Sequence, residues 1–133
     1  MIVLDTHALV WWMSSPDRIP AKARRVLDAS VAGGKPVAVS SISVWEIAML
    51  VERGRLELTL PSGVWLAHLE QLSWLSFVPV DNRIAVRAVH LEEYPHRDPA
   101  DRIIVATALG LNATLVTADR RLHDYRPLRT VWD

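Results

Sequence analysis

Residues 1–13, MIVLDTHALVWWM, decide the fold. Ile2 to Leu4 is a short apolar run that stops at Asp5, and after Thr6 the stretch from His7 to about Met13 is helical in pattern. A short apolar run bounded by a polar residue is how a strand buried on both faces reads. The segment therefore predicts a strand feeding a helix.

Working outward, the same unit recurs. Pro20 opens a helix whose apolar positions Ala23, Val26, Leu27 and Val31 keep helical spacing until Gly33-Gly34 ends it. Pro36 to Ser40 reads as a second strand, Ser43 begins a helix running to about Arg53, and Pro61 starts another to about Leu72. Leu75 to Val80 is a third strand, Asp81 caps a helix toward Leu91, and Asp98 opens a long apolar helix to Leu111. Thr114 to Thr117 is a fourth strand, Arg120 to Tyr125 a helical turn, and Thr130 to Trp132 a last short strand. Strands alternating with helices imply right-handed crossovers and a mainly parallel sheet covered on both faces, an α/β fold. No linker, repeat or low-complexity stretch interrupts it, so residues 1–133 read as a single domain.

In such sheets ligands bind beyond the carboxyl ends of the strands. Asp5 and Asp119 immediately follow strands, while Glu46, Asp98 and Asp101 lie near helix starts, at that same edge. Carboxylates that repel one another have little reason to converge unless a cation sits between them. Each acid also has a local alternative. Asp5 and Asp119 suit helix N-caps, and Glu46 stands three residues after Ser43, the spacing of a capping box. Against that, Glu46 lies in an apolar stripe with Ile42, Met49 and Leu50, where an unpaired carboxylate costs on the order of a few kcal/mol. Asp98 followed by Pro99 looks like a cap and first helical turn, so Asp98 is assigned to capping and support, with Thr6, and Asp101 to the metal.

Composition sets bounds on this. A hydrophobic fraction of 50% supports a real core. The chain has no cysteine, so disulfides and thiolate ligands are excluded. The N-terminus lacks a basic leader, and the longest apolar stretch, Ile103 to Leu111, falls short of the roughly 18 residues of a membrane span. A soluble, cytoplasmic protein is expected. Its 15 basic and 15 acidic residues cancel, yet setting the five clustered acids aside leaves ten acids facing 15 bases. Thirteen of those bases are arginine, whose fork suits phosphate, and Arg97, Arg102, Arg120 and Arg126 are the candidates for backbone contact. A receiver-like signalling domain would need an acid pair after the first strand and a lysine after the last, and neither is present. A non-catalytic metal-binding module remains the other alternative.

In order and spacing, LDTHAL, SVWEIA, DPADRIIVATA and LVTAD resemble the acidic motifs of the PIN-domain nucleases, most closely the VapC toxins of type II toxin-antitoxin pairs. The resemblance spans essentially the whole chain. It implies a five-stranded sheet in the order 3-2-1-4-5 and an endoribonuclease activity dependent on Mg²⁺ or Mn²⁺. Matched residue by residue, the family's acids fall on Asp5, Glu46, Asp101 and Asp119, with Thr117 as the accompanying hydroxyl. His7 stands where many relatives carry Asn. The resemblance also implies a VapB-like antitoxin partner and a homodimer, and Trp45, Met49 and Trp65 are the candidates for the antitoxin groove. The other tryptophans of the six are expected mostly in the core. Oxygen-only ligands favour Mg²⁺ or Mn²⁺ over Zn²⁺. Attack by a metal-activated water would leave a 5′-phosphate and a 3′-hydroxyl on the RNA products.

Overall fold

The computed structural model describes residues 1–95 and 97–133. Five strands form one sheet in the order β3-β2-β1-β4-β5, and every neighbouring pair is parallel. The strands are β1 (Ile2–Leu4), β2 (Val37–Ser40), β3 (Leu75–Val78), β4 (Thr114–Val116) and β5 (Arg129–Val131). Helices α1 (Thr6–Ser14), α2 (Ala21–Ala32), α3 (Ser41–Glu52), α4 (Ser62–Glu70), α5 (Asn82–Val89), α6 (Pro99–Gly110) and α7 (Arg120–His123) cover it. A 3₁₀ turn, Pro16–Arg18, joins α1 to α2. The sheet is thus fully parallel rather than mainly so.

Two apolar layers bury the sheet. One gathers Leu4, Leu9, Leu27, Val37 and Val39 under α1 and α2, with Trp11, Trp12, Trp65 and Trp74 packed against it and Trp132 within it. The other gathers Val3, Ile104, Val105 and Leu115 around α6. Alternate residues of β1, Val3 and Leu4, face opposite layers and both are fully buried, which is why the run carries no polar alternation. Five of the six tryptophans therefore serve the core, whereas Trp45 is 56% exposed.

Helix ends explain where the elements stop. α3 starts at Ser41 because Ser40, the last residue of β2, accepts the Ile42 N–H at 3.2 Å. At its other end Gly54 adopts φ 68° while the Arg55 N–H donates to the Leu50 carbonyl at 2.9 Å and the Gly54 N–H to Val51. That is a Schellman cap, and it fixes the direction in which Arg55 leaves the helix. β3 ends at Val78, ahead of Pro79, whose ring nitrogen has no hydrogen for a ladder bond.

These features separate backbone strain from core loss. A Cβ on Gly54 would meet nothing within 4 Å, so Gly54→Ala is expected to cost only about 1 kcal/mol, through its positive φ. Leu4→Ala, at a fully buried position on the central strand, should cost about 2–5 kcal/mol. Urea unfolding measures both, and equal losses would contradict this account of the core.

Candidate functional site

The parallel register carries the ends of β1 and β4 to one edge, and the acids follow from there. The Asp5 N–H donates to the Val116 carbonyl at 3.1 Å, extending the ladder one residue past β1. The Asp5 side chain then accepts the Ala8 N–H at 2.8 Å as the cap of α1. Across the edge, the buried Thr117 hydroxyl accepts the Asp119 N–H at 3.1 Å and also hydrogen-bonds the Asp5 carboxylate. Thr117 therefore joins the first acid to the last. Asp119 caps α7, accepting the Arg121 N–H at 3.0 Å.

Glu46 and Asp101 come from the helices that flank this edge. Thr6 donates from its hydroxyl to that of Ser43 at 2.9 Å, and both groups are buried. The bond ties the start of α1 to α3 one turn before Glu46. Ser43 lies inside the helix capped by Ser40, so the capping-box alternative for Glu46 falls away. Asp98 caps α6 by accepting the Asp101 N–H at 3.1 Å.

Together Asp5, Glu46, Asp98, Asp101 and Asp119 line one cleft of about 530 Å³, with His7, Trp11 and Arg121 on its walls. Burial, and then the charges of Asp98, Glu46, Asp5 and Asp119, push the Asp101 carboxyl up to about 7. Burial also raises Asp5, with Thr117, Ala8 and His7 pulling it back and Asp119 adding to the rise. Among the described residues no three acidic or histidine side chains stand gathered tightly enough to grip an ion as they are. The donor set nevertheless fits a hard divalent cation: carboxylate oxygens, mutually repelling, around a space with room for water.

The arginines fall in different places from one another. Arg102 donates to the Ala88 carbonyl at 2.8 Å and to Val89 at 3.1 Å, clamping α6 to the end of α5. Arg120 pairs with Asp133 at 2.6 Å, and Arg97 and Arg126 are exposed outside the cleft lining. Arg121, which the sequence reading passed over, lines the cleft with its Nε 3.5 Å from Asp119. His123 was passed over as well: its Nε2 donates to the Thr117 carbonyl at 2.8 Å while Nδ1 accepts from Thr130 at 2.9 Å, bracing the strand end that carries Thr117. Nothing in the local pattern around His123 signals that role. Trp65 lines a separate apolar hollow with Val44, Ala48, Leu66 and Phe77, which Trp45 and Met49 do not border.

The raised Asp101 has a consequence for stability. Because its folded pKa exceeds the unfolded value of 3.8, the unfolded chain ionises first as pH rises, and stability is lost between about 4 and 7. In EDTA, Asp101→Asn should therefore melt higher than the parent at pH 8, with the gap closing toward pH 4. A pH-independent gap in melting temperature would show that Asp101 carries no such strain.

Residues 2–127 match the PIN domain family model. The chain is 36% identical over 133 residues to Ribonuclease VapC22 of Mycobacterium tuberculosis, covering 98% of each. Among solved structures it is similar to VapBC2 of Rickettsia felis bound to a promoter DNA fragment, with TM-score 0.73, 20% identity and 100% of both chains covered. It is also similar to DNA-bound VapBC of Salmonella typhimurium, with TM-score 0.70, 19% identity and 98% and 96% covered. At such identities the two structural likenesses bear on the fold alone. Motif order, sheet topology, the acid-lined edge and these matches converge: the chain belongs to the PIN-domain family, in its VapC branch.

Proposed function

We propose that this chain is a divalent-metal-dependent endoribonuclease, the toxin of a toxin-antitoxin pair. The observation that carries the reading is the single cleft into which four distant segments bring Asp5, Glu46, Asp101 and Asp119. The name of the 36% identical relative, a ribonuclease, supplies the substrate class.

Asp5, Glu46, Asp101 and Asp119 would hold Mg²⁺ or Mn²⁺, which when bound activates water and offsets charge on the phosphate. The chain's own residues do the rest. Thr117 fixes Asp5 and Asp119 relative to each other, and the caps at Ala8 and Arg121 set the side-chain directions. Arg121 places a cation beside the carboxylates of the cleft, where the phosphate of an incoming strand would otherwise be repelled. Asp98 holds the N-terminus of α6, so that Asp101 faces the cleft.

A VapB-like antitoxin is the natural protein partner, as the solved relatives are VapBC complexes. The apolar hollow beside Trp65 suits part of such a partner. A homodimer acting in the cytoplasm completes the reading. No helix among the described residues is long and apolar enough to cross a membrane.

Cleavage of labelled RNA provides the test. Activity should vanish in excess EDTA, return with Mg²⁺ or Mn²⁺, and fall by about two orders of magnitude or more in Asp5→Asn and Asp101→Asn. Asn caps a helix as well as Asp does, so Asp5→Asn should keep the fold, and Asp101→Asn, which removes a strained carboxylate and no cap, should keep it too. Products ending in a 2′,3′-cyclic phosphate, or cleavage that survives EDTA, would contradict the mechanism.

A further inference from the structure

A second hollow, of about 490 Å³, opens beside the acidic cleft, and His7 and Trp11 border both. Its other walls include Arg18, Arg55, Leu50 and Leu56. The Arg18 guanidinium lies 4.3 Å from the Trp11 ring centre, and the His7 ring is 5.8 Å from that of Trp11. Arg18 and Arg55 are both exposed, and among the described residues neither pairs with a carboxylate. They differ in this from Arg120 and Arg121, which face Asp133 and Asp119.

Both cations are held by their backbones. The Arg18 N–H donates to Ser15 at 2.9 Å in the turn after α1, and Arg55 follows the Schellman cap of α3. A cleft lined by carboxylates repels a nucleic acid backbone, so a strand crossing it needs cations close by. Planar rings interleaved with guanidinium groups are what an unstacked base and its phosphate require. A volume of about 490 Å³ lies in the range of small-ligand pockets, large enough for one nucleotide and too small for a duplex.

We infer that this hollow is a subsite for the nucleotide next to the scissile phosphate. Arg18 and Arg55 take its phosphate, and His7 and Trp11 receive its base. The inference rests on the nuclease reading above and deepens it: the substrate is single-stranded at the cut, with at least one unpaired nucleotide on the side of α1.

Fluorescence anisotropy with a randomised single-stranded RNA oligonucleotide tests this, in an Asp101→Asn background that arrests cleavage. Arg18→Gln and Arg55→Gln should each weaken binding several-fold and lower the slope of log affinity against log salt, the double variant by about 0.7, as loss of one single-strand phosphate contact does. Arg25→Gln, on the exposed face of α2, is the charge-matched control and should change neither the subsite's affinity nor its cleavage beyond the general loss of one surface charge. In the cleaving protein the two subsite variants should raise KM with kcat nearly kept, and the same sequence in duplex form should be a poorer substrate. Unchanged KM and salt slope in both variants, with wild-type cleavage intact, overturns the subsite and leaves the nuclease reading standing. Absence of both RNA binding and metal-dependent cleavage in the wild type overturns that reading and the subsite with it. Variants that lose affinity for the antitoxin but not for RNA would assign the hollow to the protein partner and overturn the inference.

Discussion

Carboxylates from four segments repel one another across one cleft, and the architecture is what holds them there. A fully parallel sheet sends every strand's carboxyl end to the same edge, so Asp5 after β1 and Asp119 just beyond β4 become neighbours. Helices that begin at that edge bring Glu46 and Asp101. The electrostatic cost falls most visibly on Asp101, whose proton is retained up to about pH 7. Buried strands such as β2, with no exposed residue, supply the rigidity that keeps the acids from moving apart.

Three of the cleft acids are also helix caps, and the two uses reinforce each other. Asp5, Asp98 and Asp119 each accept a backbone N–H through one oxygen, at 2.8, 3.1 and 3.0 Å. A carboxylate has about four lone-pair sites, so a cap leaves acceptor capacity facing the cleft. The helix N-terminus adds partial positive charge that eases the crowding of negative groups. Capping therefore works as the positioning device of the site, where the sequence alone presented it as a rival explanation. The Thr117 hydroxyl, meeting both Asp5 and the Asp119 N–H, adds a cross-link between two of these caps.

Much of this was legible from local pattern. The apolar run before Asp5, the glycines closing α2 and α3, and the Asp-Pro start of α6 each carry their structural meaning within a few residues. What was not legible depends on distant contacts. Ser40, Ser41 and Ser43 are all competent caps by type, and only the end of β2 decides for Ser40. Arg102 resembles a phosphate ligand until its guanidinium is seen on the carbonyls of Ala88 and Val89. Arg121, His123 and the junction at His7 and Trp11 likewise owe their places to the packing of α1 and α7 against the sheet edge, which no spacing along the chain encodes.

The central claim is that the cleft is built around a divalent cation. Calorimetric titration of the purified, metal-stripped protein with Mn²⁺ tests it most directly, read beside Asp101→Asn with an unchanged circular dichroism spectrum. Saturable uptake by the wild type, greatly weakened in the variant, is the predicted result. No saturable uptake, or equal uptake by both proteins, would contradict the account.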